Sequence, residues 1–245
     1  TYAHPEVPKP QITMMPEQVS ERQPLVTSKQ FTVTNDYVQL EVEFPLKVIS
    51  SAVHNAGMGW YNNFLNRSIS PYYNIENVKE ETVQFLLERG FSLTNTVVML
   101  TAVEANLVAI RSFHHERFSI TIAVTAGVGN AVDVTKTYER QDTPYIGTIN
   151  TWVIVNGKLS DEAFYQAMIT ATEAKTKALA EEEIRDVQTN TIATGTATDS
   201  LLIAATQHGE EMPYAGPITD VGKLIGHGVF ETTVEAIRKY KQSKN

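Results

Sequence analysis

The 245-residue chain contains no cysteine. Disulfides, thiolate metal sites, iron–sulfur clusters and cysteine nucleophiles are therefore excluded. Nor is there a surplus of basic residues. Against 28 Asp and Glu stand 20 Lys and Arg, a formal net charge of −8. Non-specific binding to nucleic acid or to an anionic membrane needs the opposite balance, and no Lys/Arg-rich run supplies it locally. No apolar stretch approaches the roughly 20 residues of a membrane-spanning helix. The opening residues lack the basic leader and apolar core of a signal peptide. An initiator Met is also missing, which suggests excision from something longer. Internal repeats and low-complexity segments are lacking too. The expectation is a soluble, cytoplasmic protein with no nucleic-acid partner and no transmembrane segment.

Hydrophobic residues make up 42% of the chain, enough to bury a substantial core. Five of the ten prolines (Pro5, Pro8, Pro10, Pro16, Pro24) fall in the first 24 residues, whereas the first glycine is Gly57. Repeated proline removes amide donors and fixes φ, so residues 1–24 read as a linker or the tail of a preceding unit. Residues 25–245 read as one folded domain.

Within it, residues 31–42 alternate apolar and polar around Asn35-Asp36, a hairpin pattern. Residues 47–53 continue as a strand, and Gly57 and Gly59 mark a loop that includes Trp60. Asn77 with Glu80 resembles a capping box, opening a helix to about Arg89 with Val83, Leu86 and Leu87 inward. Residues 96–103, 119–125, 147–155 and 201–206 are of strand length and composition. Ser160 is suited to cap a helix over 161–182, along which Ala163, Ala167, Ala171, Ala174 and Ala178 form a small-residue stripe. Thr219 is suited to cap a helix over 221–240 with Leu224, Ile225, Val229, Ala236 and Ile237 inward. Gly222, Gly226 and Gly228 there imply a close approach, either by another helix, in this chain or in a second subunit of a homo-oligomer, or by a ligand. Strands come in groups and helices are few, so the predicted class is α+β. A mixed or largely antiparallel sheet would carry a few long helices.

The sequence has no GxSxG elbow, HExxH, Walker phosphate loop or complete GxGxxG. Its six histidines show no metal-ligand spacing. Three polar segments interrupt the apolar elements. In residues 125–131, Thr125, Gly127 and Gly129 allow backbone amides to approach a ligand; Asn130 either stabilises a turn or hydrogen-bonds an amide or oxyanion. In residues 171–179, Glu173 and Lys177 are spaced as an i,i+4 pair, and Glu173 either faces solvent or lines a cleft. In residues 192–200, small residues such as Gly195 permit close backbone approach, Thr194, Thr196 and Thr198 offer hydroxyls, and Asp199 arrives at the entrance of a buried strand.

Together these segments resemble the adenosylcobinamide amidohydrolase (CbiZ) family. The resemblance is carried by Thr-Ala-Gly-Val-Gly-Asn-Ala (125–131), Gly-Thr-Ile-Asn (147–150), Leu-Ser (159–160), Ala-Thr-Glu-Ala-Lys with Ala-Leu (171–179), Ala-Thr-Gly-Thr-Ala-Thr-Asp (193–199), and Tyr-Ala-Gly with Gly-Lys-Leu-Ile-Gly (214–226). Local departures are Val-His-Asn-Ala-Gly at 53–57 and Pro217 after Gly216. The resemblance implies hydrolysis of the aminopropanol amide of adenosylcobinamide to adenosylcobyric acid in corrinoid salvage. The corrinoid enters as substrate and no required cofactor is visible. The opening His4-Pro-Glu and Pro10-Gln-Ile-Thr-Met-Met-Pro resemble the C-terminal tail of ABC-transporter ATPases. A fusion of that kind would bring transporter subunits as partners and hold the domain at the inner face of the membrane.

Three schemes suit an amide hydrolase here. In the first, Asp199 or Glu173 is general base while Asn130 and Lys175 polarise the carbonyl, although residues 173 and 175 diverge by about 200° on an ideal helix. A nucleophilic Thr196 or Thr198 is the second, and a metal held by carboxylates and a histidine the third. The rival from another class is a corrinoid-binding sensor that cuts nothing.

Overall fold

The computed structural model describes residues 25–70, 77–138, 140 and 147–244. The expected linker at 1–24 lies outside them. In chain order, β1 (Phe31–Val33), β2 (Tyr37–Ser50) and β3 (Gly57–Ser68) precede α1 (Val78–Glu88) and β4 (Thr96–Thr101). Next come β5 (Ala109–His114), β6 (Ser119–Ala126), β7 (Ala131–Val132), β8 (Ile149–Asn156) and β9 (Lys158–Leu159). Helix α2 (Asp161–Glu181), β10 (Gly195–Thr196), β11 (Ser200–Ala205), β12 (Glu211–Met212) and α3 (Asp220–Ser243) complete the domain.

The main sheet runs β4-β3-β2-β11-β8-β6-β5, with β1 on β2. Its β3–β4 and β8–β11 pairings are parallel and the others antiparallel. This is the mixed sheet of an α+β domain, as the grouping of strands predicts. The sheet curls back on itself. Trp152 of β8 donates its indole N–H to Met99 Sδ of β4 at 3.2 Å, although three strands separate β4 from β8 in the sheet. Val48, Phe64, Met99, Trp152 and Leu202 fill the space enclosed. On the outer side, α2 and α3 cover Ile122, Val153 and Ile203, while α1 covers Leu65 and Val98. Each such side chain contributes roughly 1.5–3 kcal/mol by leaving water. Strand β8 shows how period two divides the layers: Ile149, Val153 and Val155 face the helices, and Trp152 and Ile154 face the enclosed core.

Both long helices start where their caps predict. Ser160 Oγ accepts the Ala163 amide at 3.0 Å and Thr219 Oγ1 accepts that of Gly222 at 3.1 Å. Ala163, Ala167, Ala171 and Ala178 are buried, so α2 lies close against the sheet. Two of the α3 glycines are required by neighbours inside this chain, a loop carbonyl and strand side chains and not another helix as expected. A Cβ at Gly222 would sit 1.8 Å from the Gly216 carbonyl oxygen, and one at Gly228 2.6 Å from Ile122 Cδ1. A Cβ at Gly226 would make only an ordinary contact, 3.8 Å from Thr170 Cγ2 of α2.

Four local expectations are corrected. Residues 57–68 are a strand and not a loop, because β2 pairs with residues 57–61 and, together with β4, with residues 63–67, where Asn63 finds the Thr96 hydroxyl at 3.1 Å. Tertiary pairing overrides the weak strand propensity of Gly and Asn. Strand β5 carries no period-two pattern strong enough to reveal it, yet pairs with β6 along its whole length. On α1 the buried residues are Thr82, Phe85 and Leu86, while Leu87 faces solvent. The Asn77 side chain makes no capping hydrogen bond.

Candidate active site

Strands β8 and β11 are parallel, with Ser200 opposite Asn150 and Leu201 opposite Thr151, so they begin at the same end of the sheet. Helix α2 runs toward that end. Between them lies a cleft of about 210 Å³ lined by Ser51, Ile149, Thr151, Met168, Ala171, Thr172, Lys175, Asp199, Ser200 and Leu201.

Asp199 is held from several directions. Its Oδ1 accepts the Ile149 amide at 3.0 Å and the Thr196 hydroxyl at 2.5 Å. Its Oδ2 accepts the Thr196 amide at 3.2 Å and Lys175 Nζ at 2.5 Å. These donors fill the four lone-pair positions of a carboxylate, fixing its orientation to a fraction of an ångström. The Lys175 and Asp199 side chains are only 14% and 17% exposed. Gly195 makes their approach feasible, since a Cβ there would lie 2.4 Å from Asp199 Oδ2 and 2.9 Å from Lys175 Nζ. Beside the pair, the Thr151 hydroxyl is buried without a hydrogen-bond partner. An orphaned hydroxyl costs about 1–3 kcal/mol when buried. Thr151 is one of the residues that line the cleft.

The segment leading to Asp199 is anchored by two further carboxylates. Asp186 accepts the amides of Asp133 at 2.8 Å, Gln188 at 2.7 Å and Thr189 at 3.1 Å, and pairs with Arg140 at 2.8 Å. Burial pushes its pKa up, but the three amides and the Arg140 charge outweigh this and hold it below the usual carboxylate value. The Asp133 pKa is likewise lowered, first by the Thr135 hydroxyl and then by that of Thr191.

Of the residues singled out from sequence, Lys175 and Asp199 meet in the cleft, with Gly195 and Thr196 directly behind them. Glu173 is exposed on α2 and outside the cleft lining, and neither it nor Lys177 takes part in an ion pair among the described residues. Asn130 is buried against Gly147, where a Cβ would lie 2.2 Å from its Oδ1, and is not among the lining residues. Thr125 points to the opposite face of the sheet, accepting from Asn66 Nδ2 at 2.8 Å; Asn150 Nδ2 in turn donates to Asn66 Oδ1 at 2.7 Å. Gly127 packs against Val103 and Gly129 against Tyr240. Thr194 Oγ1 accepts the Val134 amide at 3.0 Å, and Thr198 Oγ1 donates to the Gly147 carbonyl at 3.1 Å. These residues shape the loops behind the cleft. Among the described residues no group of three or more His, Asp or Glu is arranged to hold a metal ion.

Sequence reasoning missed Ser51, Thr151, Met168, Thr172 and Ser200. Thr151 had a readable signal: it is the polar break in a series, Ile149, Val153 and Val155, that otherwise faces α2. The other four had none.

The structure thus defines an α+β domain whose candidate site is a lysine–aspartate pair in a cleft. The comparisons make its class specific. The chain belongs to the adenosylcobinamide amidohydrolase family, whose model matches residues 22–245, and it is an amide-bond hydrolase. An adenosylcobinamide amidohydrolase of Methanosarcina mazei is 31% identical over 175 residues, covering 70% of this chain and 78% of that one. The Methanocaldococcus jannaschii protein MJ1613 is 30% identical over 199 residues, 73% of this chain and 78% of that one. YvrA of Bacillus subtilis, an ABC transporter ATP-binding protein, is 25% identical over 205 residues. That match covers 83% of this chain but 38% of YvrA. Among solved structures, a Burkholderia beta-aminopeptidase aligns over 85% of this chain and 79% of its own with TM-score 0.43 and 12% identity. The L-aminopeptidase D-Ala-esterase/amidase of Ochrobactrum anthropi aligns over 86% and 82% with TM-score 0.45 and 11% identity. No helix among the described residues is long and apolar enough to cross a membrane.

Proposed function

We propose that this chain hydrolyses the amide joining aminopropanol to a propionate arm of the corrin ring in adenosylcobinamide, giving adenosylcobyric acid. One observation carries the reading: the Lys175–Asp199 pair shares a cleft with the unpartnered Thr151 hydroxyl in a chain of this family.

The chemistry assigns a role to each. The Lys175 ammonium hydrogen-bonds the scissile carbonyl oxygen and stabilises the oxyanion that forms on it. Drawing Nζ toward the substrate loosens its bond to Asp199 Oδ2, which then accepts a proton from the attacking water. The Thr151 hydroxyl orients that water. The water oxygen bonds to the carbonyl carbon, the C–N bond breaks, and the proton leaves with aminopropanol as the acid remains on the corrin ring. Thr196 and the Ile149 amide keep Asp199 aligned throughout. Asn130 supports the loop behind Gly147 in this scheme, and Glu173 takes no part.

The test is incubation of the chain with adenosylcobinamide followed by corrinoid mass analysis. Conversion to the mass of adenosylcobyric acid with release of aminopropanol supports the reading. Binding of intact substrate with no product replaces it with a corrinoid sensor.

A further inference from the structure

Beyond Leu201 the sheet continues from β11 onto β2 and then β3, where Met58 and Trp60 are exposed. Register fixes which side chains stand there. Met58 is directly opposite Ile49, and Ile49 packs in the α2-side core. Trp60 is directly opposite Lys47, and Lys47 forms an ion pair with Asp161 at the start of α2. Directly opposed residues of an antiparallel pair share a face. Met58 and Trp60 therefore stand beside α2, about 10 Å from β11 across two strand spacings. They are 41% and 54% exposed, an unusual state for large apolar side chains standing together.

Helix α2 supplies the facing wall. Asp161, Tyr165, Met168, Thr172 and Lys175 lie within about 80° of one another on an ideal helix. The first of them reaches Lys47, and the last three line the cleft. Tyr165 belongs to the same row and is 58% exposed. Strand register and helix geometry thus place Trp60 and Met58 of β3 and Tyr165 and Met168 of α2 as the two sides of a groove that would lead toward Lys175 and Asp199.

We infer that this aromatic groove seats the corrin macrocycle while one amide arm reaches into the cleft. The inference rests on the substrate reading above and adds where the ring binds. The occupant follows from continuity and chemistry. The lysine–aspartate end handles an amide on a short arm, so whatever carries the arm must lie along the adjoining surface. A broad macrocycle with apolar faces suits two exposed aromatic rings and two adaptable methionines. The groove rather than the cleft then selects corrinoid amides over small ones.

Two readouts test this. The chain has two tryptophans, Trp60 and the buried Trp152. Corrinoids absorb where tryptophan emits, so titrating adenosylcobinamide should quench wild-type emission, and Trp60→Ala should remove most of that quench. Trp60→Ala and Tyr165→Ala should each raise KM by roughly three- to tenfold with kcat within twofold. Leu87→Ala, which removes an exposed apolar side chain from α1, should change neither. Wild-type turnover with unchanged KM in the Trp60→Ala/Tyr165→Ala double variant overturns the groove and leaves the substrate reading intact. A wild-type chain that neither binds nor converts adenosylcobinamide overturns both.

Discussion

Gly195→Ala is the most revealing single change at the site, because it adds one methyl group to a residue with no chemistry of its own. The added Cβ would sit 2.4 Å from Asp199 Oδ2 and 2.9 Å from Lys175 Nζ. Non-bonded heavy atoms settle nearer 3.5 Å, so the carboxylate must retreat by roughly 1 Å. It cannot do so freely, since Thr196 and the Ile149 amide hold it from behind. The ion pair therefore opens. A misplacement of about 1 Å in a catalytic group costs on the order of 10²-fold in rate. Overpacking of this size costs about 1–3 kcal/mol of stability. The assay is kcat/KM on adenosylcobinamide alongside urea unfolding. Gly216→Ala is the control, as a Cβ there meets nothing within 4 Å. Near-normal turnover by folded Gly195→Ala protein would refute the assignment of Lys175 and Asp199 as the reacting pair.

Asp199→Asn should lower turnover by roughly 10²- to 10⁴-fold, whereas Glu173→Gln should stay within twofold; reversed effects would transfer the base role to Glu173. Thr151→Val removes an unpartnered buried hydroxyl at nearly constant shape, so it should stabilise the fold by about 1 kcal/mol while slowing turnover. A drop in stability would mean the hydroxyl is satisfied after all. Both Asp133 and Asp186 have lowered folded-state pKa values. Their contribution is thus complete above the unfolded value, near 3.9, and is lost as pH falls through the lowered folded values. Urea midpoints should hold steady from pH 7 to about 5 and fall below pH 4, and Asp186→Asn should flatten that acid limb.

Most of the fold was legible because its signals are local. Alternation around Asn35-Asp36 marked the first hairpin, Ser160 and Thr219 marked two helix starts, and the alanine stripe marked the buried face of α2. Strand β3 was hidden because its glycines owe their extended conformation to β2, and Asn63 and Asn66 to β2 and β4 together. The site was legible in part. Lys175 and Asp199 could each be named from their segments, but only the fold brings them together across 24 positions of sequence. The Gly-Asn segment at 125–131 looked equally chemical, yet its polar groups serve a buried network and tight loop packing. Thr151 left a trace as the polar break among Ile149, Val153 and Val155, but only the placement of α2 over that face shows the cleft it lines.

The proposed reaction is cleavage of the aminopropanol amide of adenosylcobinamide. The direct measurement is the corrinoid mass before and after incubation with the wild-type chain and with Asp199→Asn. The expected result is the mass of adenosylcobyric acid with the wild-type chain and little conversion with the variant. Intact adenosylcobinamide after prolonged incubation with the folded wild-type chain would contradict it.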